Sequence, residues 1–373
     1  MIYLDSAATT RPNETAIARA NKFITEEYFN PSARYGGGAS VHAEIERARE
    51  FLTAQIASCD KFSLVFTSCG TEADNQAVFT AGKRGNAVTD GGEHSAVFKS
   101  FIELKNRGVE PRFAPVLKDG RVDGDALLSL VDEKTSLVSI VHVNNETGAV
   151  NDINELACRV KAKNPRTVFH SDGVQAYGKI PVRLTENVDL YSLSAHKIGG
   201  LKGTGALIRR KKFPLQAFLF GGGQEGELRS GTENTYGIAV FRYAAEQKFR
   251  TLAEDAKRLL CYRELLFDRL DKELFARISP NDGSPYILTV SASGMRGEVL
   301  QRMLWEKGVA VGTGSACSSK KPHSRILESC GYGKEMLDGV LRVSFCSETK
   351  EEEVLHCAEA MNAVASEYKK KLG

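Results

Sequence analysis

Short β-rich runs alternate with helical patterns between about residues 60 and 210, and this alternation constrains the fold more than any other feature. The runs are apolar almost throughout and cover residues 63–67, 136–143, 167–170, 189–193 and 205–208. Runs of this kind are typical of strands buried on both faces, which occur in mostly parallel sheets covered by crossover helices. The sequence therefore predicts an α/β fold with a large domain built on such a sheet.

The pattern changes after about residue 250, where a long charged helix begins. Short strands are predicted at residues 286–291, 309–311 and 341–345, followed by a final helix from about Glu351. This arrangement predicts a smaller α+β C-terminal domain packed on the larger sheet. We assign residues 15–253 to the large domain, and residues 1–14 and 254–373 to the small one.

Charge and composition exclude several classes of partner. The 50 basic residues are nearly balanced by 47 acidic ones, so there is no electrostatic argument for nucleic acid or an anionic membrane. The chain has neither an apolar run of membrane-spanning length nor a secretory signal pattern. Its eight cysteines show no CxxC pair, which is typical of reduced thiols. We expect a cytoplasmic protein with no nucleic-acid or membrane partner.

Lys197 and Asp172 each follow a predicted buried strand, 25 residues apart. A buried ammonium is costly, but a lysine that forms a Schiff base avoids this cost. An aspartate at a neighbouring strand end can keep the ring nitrogen of bound pyridoxal phosphate protonated, and ligands of such sheets bind at this edge. The alternatives are a lysine that reaches solvent and an aspartate that caps a helix.

A strand runs into a helix through the small residues at 67–74, which include Gly70 and Thr71. The amides at a helix N-terminus, aided by the helix dipole, suit a phosphate group. An ordinary capping box, with Ser68 or Thr71 as the cap, explains the same residues.

Cys317 lies in a segment, 311–321, that is rich in glycine, hydroxyl residues and lysine. This composition predicts an exposed loop, and exposed thiols near cations are better nucleophiles.

Arg342 alternates with apolar residues on a predicted strand and could bind a carboxylate or form a structural ion pair. His94 could stack on a flat ring and Asn145 could bind a cofactor hydroxyl or a carboxylate, although turn or capping roles explain either residue alone.

Taken in order, these segments resemble the cysteine desulfurases, which are fold-type I enzymes of the class V aminotransferase group. The resemblance runs nearly end to end, and its Gly-Ser-Ala-Cys loop is similar to that of the iron–sulfur-assembly branch. It is carried by residues 3–10, 30–32, 68–75, 93–94, 142–148, 172–175, 194–197, 229–232, 314–317 and 341–342.

The resemblance implies a seven-stranded, mostly parallel sheet and a pyridoxal 5'-phosphate cofactor held by Lys197. Asp172 would then bond the ring nitrogen and Gln175 the ring hydroxyl, while His94 would stack on the ring and move protons. The expected phosphate contacts are Gly70, Thr71, Ser194, His196 and, from a second subunit, Thr232. That last contact implies a homodimer.

The implied reaction converts L-cysteine to L-alanine. Asn145 and Arg342 would bind the substrate, and Cys317 would receive its sulfur as a persulfide. An iron–sulfur scaffold or another acceptor protein would then take the sulfur. Through its persulfide, Cys317 is also an expected transient ligand of an iron–sulfur cluster.

Some positions depart from the family pattern. Cys69 stands where glycine is usual in the phosphate turn, Leu201 where proline is usual, and Tyr35 near a usual histidine.

The sequence leaves other functions open. One alternative is an aminotransferase, or a lyase that prefers selenocysteine, neither of which would need the Cys317 loop. Another is a scaffold protein that binds no cofactor. Nucleotide binding by the glycines at 221–223 lacks a GxGxxG or P-loop sequence.

Overall fold

A computed structural model describes residues 1–314 and 323–372. Its strands in chain order are β1 (Ile2–Leu4), β2 (Phe62–Thr67), β3 (Asn86–Asp90), β4 (Glu110–Ala114), β5 (Thr135–Ser139), β6 (Val168–Asp172), β7 (Leu190–Ser194), β8 (Gly205–Arg210), β9 (Ala276–Arg277), β10 (Ile287–Ser291), β11 (Val309–Val311) and β12 (Val340–Ser344). Its helices are α1 (Glu14–Ala20), α2 (Lys22–Thr25), α3 (Gly36–Ala54), α4 (Gly70–Ala81), α5 (Ser95–Asn106), α6 (Gly124–Leu130), α7 (Ile153–Lys163), α8 (Thr235–Arg269), α9 (Gly297–Glu306), α10 (Arg325–Ser329), α11 (Lys334–Asp338) and α12 (Glu351–Leu372).

The large sheet has seven strands in the order β2-β8-β7-β6-β5-β3-β4. All neighbouring pairs are parallel except those of β8, which runs antiparallel to both β2 and β7. Successive residues of β2 enter different cores: Leu64 and Phe66 pack on one face, and Val65 on the other. Helices therefore cover both faces of the sheet, as the apolar runs predict.

Each of the five predicted runs contains a strand, but the structure corrects the prediction in two places. The predicted strand at 136–143 is too long, because β5 ends at Ser139. Two of the residues that follow it, Val141 and Val143, line a pocket. Strands β3 and β4 were not predicted. β4 is an edge strand that contains Pro111, and only Ala114 among its five residues is buried, so it lacks the apolar signal of a buried strand.

The N-terminal segment joins the C-terminal part of the chain. β1 pairs in parallel with β11, and a three-stranded antiparallel sheet has the order β12-β10-β9. Bridges from Asp5 to Ser344 and from Gly312 to Arg342 connect the two small sheets. Ala7 thereby lies between the small sheets and the edge of the large one, where it lines the same pocket.

Helix α8 is 35 residues long and contacts more than one core. Its first half contributes Phe241 and Ala245 to the core of the large sheet, and its second half contributes Leu259 and Leu266 to the core of the small sheets. The helix crosses the boundary proposed at 253/254, so the domain limits stay a prediction. Within the described ranges, no helix has the length and apolar content needed to cross a bilayer.

Candidate active site

A pocket of about 370 Å³ lies at the carboxyl ends of β2, β6 and β7. Residues after β5 and from the β11–β12 region complete its lining. This is the edge at which open α/β sheets bind ligands, because the strand-to-helix turns there present backbone amides and short side chains.

Lys197 ends a short 3-10 turn, Ala195–Lys197, directly after β7. Its side chain is partly buried and lines the pocket. Its Nζ donates hydrogen bonds of 2.8 Å to the carbonyl oxygens of Ala7 and Ala8. The N-terminal segment thus orients the amine with two neutral acceptors.

Asp172 is the last residue of β6 and is buried. Its Oδ1 accepts a 2.9 Å hydrogen bond from the backbone N–H of Val174, so it also stabilises the turn that follows. Burial raises the pKa of this carboxyl, while the charges of His94 and Lys197 lower it. A cationic partner inside the pocket would favour the carboxylate form still more.

His94 caps the N-terminus of α5 and also lines the pocket. Its Nδ1 accepts a 3.2 Å hydrogen bond from the N–H of Ala96, which assigns the proton of the neutral ring to Nε2. Burial lowers the pKa of His94, and the charge of Asp172 opposes this effect. The lowered pKa favours a neutral imidazole near pH 7. His94 therefore both caps α5 and presents a neutral ring to the pocket.

The turn between β2 and α4 accommodates the unusual Cys69. Its φ of −171° is ordinary extended backbone, and its Sγ accepts a hydrogen bond from the N–H of Glu72. The observed cap is therefore Cys69, not Ser68 or Thr71. A Cβ added to Gly70 would lie 2.9 Å from Val174 Cγ2, so this position favours glycine.

The end of β7 supplies polar atoms beside this turn. Ser194 is buried and its Oγ has no hydrogen-bond partner among the described residues. His196 Nδ1 lies 3.1 Å from Thr9 Oγ1, and burial lowers the pKa of His196 to about 4. A buried hydroxyl without a partner is costly, so Ser194 is suited to a ligand with acceptor oxygens.

Arg342, on β12, also lines the pocket. Its Nη1 donates to Asn145 O and its Nη2 to Asp5 Oδ1, each at 2.8 Å. Its Nε and the Asn145 Oδ1 are buried without partners in the described chain. The structural ion pair, one of the two alternatives for Arg342, is present, and these two bonds use only two of the five guanidinium N–H groups, so donors remain for a second anion.

The structure brings ten predicted site residues together in this pocket: Gly70, Thr71, His94, Asn145, Asp172, Gln175, Ser194, His196, Lys197 and Arg342. Thr232 is exposed and lines a separate cavity of about 140 Å³. Cys317 lies outside the described residues, although Gly314, three positions before it, lines the main pocket. The roles assigned to these residues remain predictions.

Asp74 and Glu146 also line the pocket and were not predicted. Burial, reinforced by the charge of Asp172, raises the pKa of Asp74 well above its usual value. Burial also raises the pKa of Glu146, to about 7. Each residue stands within a segment already singled out, 67–74 or 142–148, but the linear pattern did not distinguish it from an exposed residue.

The donor set fits pyridoxal phosphate. Lys197 offers an amine, Asp172 a buried carboxyl, and the α4 N-terminus with Ser194 offers donors for a phosphate. One ligand atom each of Asp74, His94 and Asp172 lies within 4.8 Å of the others, a spacing that could also hold a metal ion. The lysine and the phosphate-type donors have no use in a metal site, so the cofactor explains more of the pocket.

Comparison with known proteins identifies the family. The sequence profile of the class-V aminotransferases matches residues 2–356. A cysteine desulfurase of Sinorhizobium fredii (strain NBRC 101917 / NGR234) is 34% identical, with 97% of this chain and 96% of the relative covered. The cysteine desulfurase IscS of Anaeromyxobacter sp. (strain Fw109-5) is 38% identical, with 95% and 90% covered.

A solved structure described as a NifS-like protein superposes with a TM-score of 0.92 at 34% identity, covering 98% of this chain and 99% of that one. The chain therefore belongs to the class-V aminotransferase family, in its cysteine desulfurase group. The predicted fold-type I architecture and the family resemblance are confirmed.

Proposed function

We propose that this protein is a pyridoxal-phosphate-dependent cysteine desulfurase. It converts L-cysteine to L-alanine and places the sulfur on Cys317 as a persulfide. The observation that carries the proposal is the meeting of Lys197, Asp172, His94 and Arg342 in one pocket. A reactive amine, a buried acid, a neutral imidazole and a partly unpaired guanidinium are the groups that an amino-acid substrate and this cofactor require together.

The cofactor is held by residues from three strand ends. Lys197 would carry it covalently, Asp172 would bond its ring nitrogen and Gln175 its ring hydroxyl, and His94 would pack on its ring. When bound, pyridoxal phosphate supplies an electron sink for the substrate Cα. Asp172 keeps that sink effective because its carboxylate stabilises a protonated ring nitrogen.

The phosphate contacts are divided between two copies of the chain. Gly70, Thr71, Ser194 and His196 lie together in one copy. Thr232 is exposed and away from this group, so we assign it to the site of a second copy. The active protein is then a homodimer with two shared sites.

Arg342 and Asn145 bind the substrate carboxylate. The buried Nε of Arg342 and its neighbouring Nη atoms have the planar arrangement that carboxylates prefer. Asp5, already paired with Nη2, fixes the guanidinium before substrate arrives. This contact directs the amino group of cysteine toward Lys197.

The Lys197 amine, free once the substrate amine has taken its place, would accept the proton from the substrate Cα. His94 would exchange a proton with the substrate through Nε2. The Cys317 thiolate attacks the substrate sulfur, so an S–S bond forms while the Cβ–S bond breaks. The electron pair stays on Cβ, which is protonated to give L-alanine. Cys317 is left as a persulfide, and no external oxidant or reductant is needed.

The persulfide sulfur passes to an acceptor protein, which we propose to be an iron–sulfur scaffold or another sulfur carrier. The Gly-Ser-Ala-Cys sequence at residues 314–317 resembles that of the iron–sulfur-assembly branch, which favours the first acceptor. During such a transfer Cys317 would be a transient cluster ligand. All seven cysteines in the described part of the chain are free, which favours a reducing compartment, and we propose the cytoplasm.

The test measures alanine and sulfide released from L-cysteine in the presence of cofactor and a reductant. Wild-type protein should release both in equal amounts. Lys197→Ala and Cys317→Ser should each lower both by at least about a hundredfold, since each removes a reacting group. Cys158→Ser, at an exposed cysteine on α7, is the matched control and should retain full activity.

Alanine that persists in Cys317→Ser would contradict the persulfide step. It would favour another class-V outcome, such as a lyase that prefers selenocysteine. A wild-type protein without a cofactor absorbance band would overturn the enzyme proposal and favour a scaffold function.

A further inference from the structure

A second lysine lies behind the cofactor pocket without lining it. Lys179 follows β6 by seven residues and is only 4% exposed. Its Nζ donates a 2.6 Å hydrogen bond to Oε1 of Gln175, the residue four positions before it. A fully buried lysine is costly unless its amine has a structural or chemical use, and the proposed reaction assigns it none.

The Gln175 amide is fixed at both ends. Its Oε1 accepts from Lys179, and its Nε2 donates a 2.8 Å hydrogen bond to Ala7 O. The same carbonyl accepts from Lys197 Nζ at 2.8 Å. Lys179, Gln175, Ala7 and Lys197 therefore form one hydrogen-bonded chain that reaches from the buried side of the pocket to its reactive amine.

Only one orientation of the amide agrees with this chain. A flipped Gln175 would place its NH₂ group against the Lys179 amine, and its carbonyl oxygen against Ala7 O. The contact with Ala7 O would then join two acceptors whatever the charge of Lys179, and that buried hydrogen bond would be lost. With a protonated Lys179, the other contact would also join two donors. The observed orientation leaves the second N–H of Nε2 for the pocket, which Gln175 lines.

The surroundings of Lys179 favour a neutral amine. Burial lowers its pKa far below the usual value, and the charges of Lys197, Lys248 and Arg342 lower it further, against a small opposing effect of Cys346. The Tyr286 ring lies 5.9 Å from Nζ. A neutral amine still has N–H groups, so it continues to donate to Gln175.

We propose that Lys179 is a positioning residue that acts through Gln175. By binding Oε1, it makes Gln175 present a hydrogen-bond donor, not an acceptor, to the ring hydroxyl of the cofactor. This inference rests on the proposed function, because it concerns the same cofactor. A donor stabilises the anionic form of the ring oxygen, whereas an acceptor would destabilise it.

The experiment uses the cofactor-loaded protein without L-cysteine, so desulfurase activity plays no part in the readout. The absorbance of the cofactor band is titrated with pH, and cofactor dissociation is measured by equilibrium dialysis. Lys179→Met, which keeps the volume and removes the donor, should shift the spectral midpoint and weaken cofactor binding about tenfold, as expected for one hydrogen bond to a charged group.

A double-mutant cycle separates positioning from simple destabilisation. If Lys179 acts through Gln175, adding Lys179→Met to Gln175→Ala should change neither the midpoint nor the dissociation constant further. Lys163→Met is the control: the Nζ of Lys163, on α7, also donates to a neutral acceptor, Leu128 O, but the residue is exposed and does not line the pocket, so this variant should titrate like wild type.

Two results would overturn the inference. One is a Lys179→Met protein whose cofactor band titrates like that of wild type. The other is a shift of the spectral midpoint by Lys179→Met that is equally large in the Gln175→Ala background. Gln175→Glu provides a check that does not depend on the folding of the lysine variant. It removes the donor and keeps the contact with Lys179, so an unchanged midpoint there would also overturn the inference. A wild-type protein with no cofactor band would refute both this inference and the proposed function.

Discussion

Arg342 and Asp5 form an ion pair of 2.8 Å at the pocket that Lys197 also lines, and the guanidinium Nε is buried without a partner among the described residues. The pair orients the guanidinium before a substrate is bound. A fixed donor loses less conformational entropy on binding than a mobile one, so the ion pair contributes to affinity without touching the ligand.

Arg342→Lys should raise the KM for L-cysteine by roughly ten- to a hundredfold with a smaller effect on kcat, because lysine keeps the charge but not the planar donors. Steady-state alanine formation measures both constants. Arg296→Lys, at an exposed arginine, is the control. An unchanged KM would show that the carboxylate is bound elsewhere.

Gly205→Ala should destabilise the phosphate turn. A Cβ at this position would lie 2.4 Å from the backbone carbonyl carbon of Cys69, which cannot move without displacing the turn. We expect a loss of about 1–3 kcal/mol in the free energy of unfolding, together with weaker cofactor binding. Urea unfolding and cofactor dialysis measure the two effects.

The control for this variant is Gly36→Ala, since an added Cβ at Gly36 meets no atom within 4 Å. Equal stability of the two variants would mean that the turn adapts to the Cβ of residue 205.

Glu146→Gln should change the pH dependence of stability. Burial raises the folded-state pKa of Glu146 from 4.5 to about 7, so its contribution is fully present below pH 4.5 and is lost as the pH rises through about 7. The glutamine variant should match wild type at low pH and exceed it by up to about 3 kcal/mol above pH 7, at 1.36 kcal/mol per pKa unit.

Unfolding free energies across this pH range, at equal cofactor concentration, test the prediction for Glu146. Glu359→Gln, at an exposed glutamate, is the control. A constant difference between wild type and Glu146→Gln at all pH values would contradict it.

Mixed dimers test the shared site. Lys197→Ala chains and Thr232→Ala chains should each form impaired homodimers. A heterodimer regains one intact site, because the intact Lys197 of one chain meets the intact Thr232 of the other. Mixing and reassociating the two should therefore restore activity above that of either homodimer, as measured by alanine release. No recovery in verified heterodimers would place Thr232 outside the partner's site.

The sequence predicted the large sheet well where strands are buried on both faces. β7 and β8 were predicted to within two residues because each has a cluster of apolar side chains: Leu190, Tyr191 and Leu193 in β7, and residues 206–208 in β8. β4 was not predicted because it lies at the edge of the sheet, where its residues are less buried, and its sequence has no continuous apolar run. Residues 1–14 were assigned to the small domain, but the pairing of β1 with β11, about three hundred residues away, was not predicted because no local pattern records it.

The site was predictable where the chemistry depends on a residue's type. Lys197 and Asp172 stand at strand ends, and both line the pocket. The backbone carbonyls of Ala7 and Ala8 could not be predicted, because any residue supplies a carbonyl and only the fold brings it to Lys197. Lys179 was missed for a similar reason: its contact with Gln175 depends on burial, which an isolated lysine does not signal.

Helix α8 inserts side chains into the core of the large sheet at one end and into the core of the small sheets at the other. Neither core can lose its packing without exposing apolar residues of the same helix. Unfolding should therefore be cooperative across both, and calorimetry should record a single transition whose van't Hoff and calorimetric enthalpies agree.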